Sequence, residues 1–118
     1  CGAVEENLIE ELKIENMMDI LIGMLTDCFV VLESENTKIS GKILARDEEV
    51  NVIYHNALDV LSAYIEENPA FARCGLKLLL LIRKLERIGD HCNNIVEELV
   101  FYVDAKVLKH QGLSKLEF

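Results

Sequence analysis

Tryptophan is absent from this 118-residue chain, proline occurs once, and aromatic residues make up only 6%. A single proline leaves long helices uninterrupted. No unbroken apolar run exceeds the five residues of Leu78 to Ile82, far short of the roughly 20 that span a bilayer. No stretch of signal-peptide type precedes that run. Basic residues are also scarce, 12 against 21 acids, for a net charge of −9. That balance disfavours nucleic acid and anionic membrane surfaces, since there is little positive charge to displace counterions from phosphates. It favours cations and basic partner surfaces, although acidity also serves solubility. Catalytic signatures are missing: no Gly-rich phosphate loop, no G-x-S-x-G, no H-E-x-x-H. None of the three histidines follows a Glu by three positions, which argues against a di-iron carboxylate bundle. The expectation is a cytoplasmic protein that is not an enzyme.

What the chain has is aliphatic. Apolar residues reach 51%, dominated by Leu, Ile and Val, enough for a real core. The four cysteines, Cys1, Cys28, Cys74 and Cys92, form no C-x-x-C spacing. Three fall inside helical patterns and read as small buried apolar residues in a reducing compartment. A chain that opens on Cys1 rather than Met is expected to be a fragment of a longer one.

Three helical patterns follow one another, at about 4–34, 38–67 and 70–104. In the first, Leu8, Leu12, Met17, Met18, Leu21, Leu25, Cys28, Phe29 and Leu32 repeat with helical period, and Met17, Met18 and Met24 read as core. Asn36 and Thr37 are good caps for the next helix. In the second, Ile39, Ile43, Val50, Tyr54, Ala57, Leu58, Leu61, Tyr64 and Ile65 share an arc. It ends at Asn68-Pro69, because the residue before proline is pushed out of helical geometry. Pro69 suits the first position of the third helix, with Asn68 as its cap. The third is apolar nearly all round from Leu76 to Ile82, which predicts deep burial. Its second half is amphipathic, with Leu85, Ile88, Cys92, Val96, Leu99 and Val103 facing the core. Three helices near 30 residues with short links predict an all-α fold, an antiparallel three-helix bundle roughly 45 Å long.

The polar residues carry the chemistry. Glu86, Asp90 and Asn94 stand at i, i+4 and i+8 and form a column of oxygen donors. Two acids so spaced repel by roughly 0.2–0.5 kcal/mol, and something must offset that. Glu97 joins the same stripe. On the second helix Asp47 lies at the margin of the apolar arc and Asn51 follows one turn on. An acid at the edge of a core needs a partner. One reading is an oxygen-only site for a hard cation such as magnesium, manganese or iron, shared by the second and third helices. The other is a salt-bridge network in which Arg83 and Arg87 pair with Glu86 and Asp90. Spacing leaves both open. Asp27 leans toward the region from the first helix, and His91 is rotated about 100° from Asp90 and reads as a surface residue.

Leu85-Glu86-Arg87-Ile88-Gly89-Asp90-His91, followed by Asn94-Ile95 and Glu97, resembles the helix signature of the PhoU family. Asp47-Glu48-Glu49-Val50-Asn51 resembles the family's Asp-x-x-x-Asp, and Val107 to His110 its C-terminal tail. The likeness covers roughly residues 15 to 112. It implies a single repeat of a family built from two three-helix repeats in tandem, similar to the second. It implies a cytoplasmic regulator of phosphate uptake whose partners are a phosphate ABC transporter ATPase and a sensor histidine kinase. It implies a metal ion, iron, manganese, magnesium or zinc, held by Asp47, Glu86 and Asp90, with Asn51, Asn94 and Asp27 as further or supporting ligands. Asn51 departs from the family's acid and lowers the negative charge of the site. The runner-up is the cytoplasmic PhoU-like domain of a sodium–phosphate cotransporter; a helical adaptor without metal is the bland alternative. One repeat alone leaves uncovered the apolar surface its sister would bury, so the chain is expected to form a homo-oligomer, with the first half of the third helix as the seam.

Overall fold

The structure is a computed structural model, and it describes residues 6–109. Four α-helices and two single 3₁₀ turns account for nearly all of them: α1 Glu6–Leu12, α2 Ile14–Ser34, α3 Ser40–Glu67 and α4 Ala72–Leu108. There is no strand among the described residues. The all-α expectation holds, with α2 and α4 running in the same direction and α3 against both.

The first expected helix is in fact two. Lys13 takes a left-handed conformation, with φ 57° and ψ 37°, and the helix breaks there. A residue with a Cβ pays roughly 1–2 kcal/mol for this geometry. The break turns α1 onto α3, where Leu8 and Leu12 are buried and Asn56 Nδ2 donates to the Glu11 carbonyl at 3.4 Å. Burial of those two leucines offsets the strain, an outcome that periodicity alone does not show.

The links behave as local rules dictate, with one exception. Asn36 accepts from the Lys38 backbone N–H at 3.0 Å and caps the turn Thr37–Ile39. Pro69 opens the turn Pro69–Phe71 as expected. Asn68, however, does not cap: its side chain donates back to the Tyr64 carbonyl at 3.2 Å. The corner is closed instead by packing, with Tyr64 and Phe71 edge to face at 4.7 Å. At the far end Lys106 Nζ donates to both carboxylate oxygens of Glu35, at 3.1 and 3.2 Å, tying α4 to the end of α2.

The core stripe of α2 is Met17, Leu21, Met24, Cys28 and Val31. Four residues expected in it, Met18, Leu25, Phe29 and Leu32, are exposed. They lie one position on, about 100° round the helix, and either stripe satisfies helical period; only packing chooses. On α3 the expected arc is buried at Ile43, Val50, Ala57 and Leu61 and half-buried at Tyr54, Leu58, Tyr64 and Ile65, while Ile53, outside that arc, is buried as well. The first half of α4 is not deeply buried: Leu76, Leu80 and Leu81 face outward while Ile82 is fully enclosed. Ile88 is exposed too, and Cys92 and Val96 are buried. A three-helix bundle has one interior seam, so a helix apolar all round can bury only one side of itself. Cys28 and Cys92 are free and buried, and burial pushes the Cys28 thiol up to about 11. Cys74, expected as a third buried thiol, is half-buried and disulfide-bonded.

Candidate functional site

Asp47 is the one charged residue in the core among the described residues, with 6% of its surface exposed. It occupies a stripe position of α3 between Ile43 and Val50, so it sits inside the core and not at its margin. Its Oδ2 accepts from Asn93 Nδ2 of α4 at 3.1 Å. Its Oδ1 has no hydrogen-bond partner, and neither does Asn93 Oδ1. Gly89 of α4 makes room for it: a Cβ there would stand 2.9 Å from Asp47 Oδ1. The glycine lets the carboxylate press against the backbone of α4.

Glu86 and Asp90 lie on the same flank of α4, both half-buried. Burial raises the Glu86 pKa above its ordinary 4.5; the charge of Asp90, a hydrogen bond with Asp90 and the charge of Asp47 add to this, and Arg83 opposes it weakly. Burial likewise raises Asp47 above 3.8, with the charges of Asp90 and then Glu48 adding to it. The three expected acids therefore share one electrostatic neighbourhood across the α3–α4 seam. The repulsion between Glu86 and Asp90 is registered in the raised Glu86 pKa. The salt-bridge alternative is not what forms: among the described residues the ion pairs are Arg46–Asp27 and Lys106–Glu35, and neither uses Arg83 or Arg87.

The supporting residues divide. Asn51 is half-buried one turn from Asp47, while Asn94 is exposed. Asn93 takes the place expected of Asn94. It stands seven positions after Glu86 and three after Asp90, so it is nearer the acid stripe than Asn94 is. That spacing was a signal for it, as the small residue in Ile88-Gly89-Asp90 was for a close helix contact. Asp27 does not join the stripe. It pairs with Arg46 Nη1 at 3.1 Å between α2 and α3, under Gly23, where a side chain would collide with the guanidinium. His91 is exposed.

Hard oxygen donors and the unpartnered Oδ1 of Asp47 are the chemistry a hard cation asks for. Among the described residues, however, no three His, Cys, Asp or Glu side chains are gathered so as to hold a metal ion. The acids are neighbours in charge and not a formed coordination shell. The arrangement offers negative charge and a buried polar clasp between two helices.

The PhoU domain family matches residues 14–99, a span that contains every residue of this stripe. The chain is 26% identical over 116 residues to the phosphate-specific transport system accessory protein PhoU homolog of Pseudomonas aeruginosa, covering 98% of the chain and 47% of that protein. It is 31% identical over 99 residues to the homolog of Caulobacter vibrioides, covering 84% of the chain and 43% of the relative. With the PhoU accessory protein of Escherichia coli K12 it shares 28% identity over 105 residues, 89% of the chain and 44% of that protein. The chain thus spans about half the length of the curated relatives it matches. No solved structure matches it with significance. With the family's domain spanning most of its length, and the acids of α3 and α4 drawn together inside that span, the chain belongs to the PhoU family.

Proposed function

We propose that this chain acts in the regulation of phosphate uptake, by binding and not by catalysis. The observation that carries the reading is the PhoU domain across residues 14–99, supported by relatives named as accessory proteins of phosphate-specific transport systems. Its partners in this reading are a phosphate transporter ATPase and a sensor histidine kinase, on the cytoplasmic side. No described helix is long and apolar enough to cross a membrane, which suits an accessory role beside a transporter. The acidic surface offers complementary charge to basic partner surfaces.

The cation belongs to the proposal as well. Asp47, Glu86 and Asp90 are the ligands it would use, and it would supply the positive charge that the two α4 carboxylates lack. Bound there, it would tie α3 to α4 and stiffen the flank that carries the stripe. Disrupting the gene in its native cell tests the role: phosphate uptake should stay high when phosphate is plentiful. Uptake that remains normally repressed would overturn it. Pull-down of the transporter ATPase by the chain, with and without manganese, tests the binding step.

A further inference from the structure

The two thiols that the fold buries play no part in the acid stripe. Cys28 of α2 and Cys92 of α4 are 8% and 1% exposed, and both are free. They stand 64 positions apart in the chain and meet inside the bundle. The Cys28 thiol donates to the Cys92 carbonyl at 3.8 Å, and a further hydrogen bond links the two sulfurs. A single buried cysteine is ordinarily a small apolar filler. Two in contact also hold the atoms of a disulfide.

The seam between α2 and α4 is tight at this level. One turn before Cys92, a Cβ on Gly89 would stand 3.4 Å from Leu21 Cδ2 of α2. A disulfide needs Cβ atoms about 3.8 Å apart. A Cys28 sulfur already in contact with both the carbonyl and the sulfur of Cys92 reaches bonding distance by side-chain rotation, with the helices in place.

The bond would form beside the polar clasp. Asn93, next in sequence to Cys92, donates to Asp47 Oδ2 at 3.1 Å, and the charge of Asp47 acts on Cys92 itself. Joining residue 92 to α2 fixes the backbone from which Asn93 reaches α3. The three long helices are then tied at one level.

We propose that Cys28 and Cys92 form a reversible redox site, a dithiol at rest that a peroxide converts to a disulfide stapling α2 to α4 beside the acid stripe. Cys28 reacts first, being the more exposed. Its sulfur takes one oxygen of hydrogen peroxide: the O–O bond breaks, an S–O bond forms, and the thiol proton leaves with the other hydroxyl as water. The Cys92 sulfur then displaces the sulfur-bound hydroxyl: S–S forms, S–O breaks, and the second thiol proton leaves with that hydroxyl as a second water. The two sulfurs lose two electrons and the peroxide oxygens gain them. Burial pushes the Cys28 thiol up to about 11, which keeps thiolate scarce at neutral pH. The site therefore answers to sustained oxidant and ignores a brief pulse. In a reducing compartment disulfides are of this transient kind.

The 118-residue chain, held folded in millimolar hydrogen peroxide for hours, tests this by tryptic digestion and mass spectrometry. Peptides 14–38 and 88–106, which carry Cys28 and Cys92, are expected joined, and dithiothreitol should part them. Peptide 74–77 carries Cys74 and stays outside this pair. The oxidised chain should melt roughly 10 °C or more above the reduced one, because the bond closes a loop of about 65 residues in the unfolded chain. Cys28→Ala, treated alike, should show neither the joined peptides nor the rise, which separates the staple from any effect of oxidised methionine. Three results overturn the proposal. One is Cys28 carried on to a sulfinic acid with Cys92 still a thiol. Another is both thiols free when the exposed Met18 is already a sulfoxide, since oxidant has then reached the chain. The third is a joined pair that melts no higher than the reduced chain.

Discussion

The carboxylate of Asp47 rests on the backbone of α4 at Gly89, where a single methyl group would stand 2.9 Å from its Oδ1. The contact joins two positions 42 apart in the chain, one from each of the two motifs that carry the family likeness. It explains why the interior of a continuous helix contains a glycine that costs it roughly 1 kcal/mol in propensity.

Gly89→Ala should therefore destabilise despite improving helix propensity. Crowding in a packed site costs roughly 1–3 kcal/mol, and the propensity gain returns part of it. A net fall in Tm of about 4–8 °C is expected, read by thermal circular dichroism. An unchanged or higher Tm would show that Asp47 simply swings aside.

Asp47→Asn should stabilise the protein at neutral pH. Burial and the neighbouring acids raise the Asp47 pKa above 3.8, so the folded state binds that proton more tightly than the unfolded chain. Stability contributed by such a group falls as pH rises through the folded-state value. Asparagine removes the charge and still offers Asn93 an acceptor. Tm should rise at pH 7 by a few degrees, about 1 kcal/mol, and the advantage should shrink as pH falls toward 3.8. An advantage that grows in acid would reverse the sign of the argument.

The stripe on α4 tests the cation. If manganese or iron binds at Asp47, Glu86 and Asp90, the wild type should gain about 2.7 kcal/mol at a hundredfold excess over the dissociation constant. Glu86→Ala/Asp90→Ala should lose that gain while its metal-free form melts at the same temperature or slightly higher, a raised Glu86 pKa marking a carboxylate that costs stability when charged. No metal-dependent shift in the wild type would remove the ligand assignment, with Asn51 in place of an acid as the first cause to examine.

Lys13→Gly should raise stability by roughly 1 kcal/mol. Lys13 holds φ 57°, which costs a residue with a Cβ about that much and glycine nothing. Part of the gain is lost to the greater freedom of glycine in the unfolded chain. A destabilised variant would mean that the lysine side chain contributes more than its backbone strain removes.

Much of the fold was legible because helical period, one proline and capping residues are local properties. Three patterns and two links were placed within a few residues, and α3 buries the arc its sequence displays. The site was half legible. Glu86 and Asp90 share a helix face by spacing alone, and Asp47 was expected to need a partner. Asn93 and not Asn94 meets Asp47, and its spacing of three and seven positions matches the acid stripe better than four and eight.

Sequence by itself determined that this chain is helical, where the links before α3 and α4 fall, and that acids fall on one flank of α4. Those outcomes depend on neighbours within about four positions, where backbone geometry decides. Tertiary structure decided which of two adjacent apolar stripes of α2 enters the core, that Lys13 breaks the first helix, that Asp27 serves Arg46, and that Asp47 lies wholly inside, clasped by Asn93 and Gly89. Each of these turns on a contact between residues distant in the chain. A helix with two apolar faces carries no local instruction about which one its neighbours will cover.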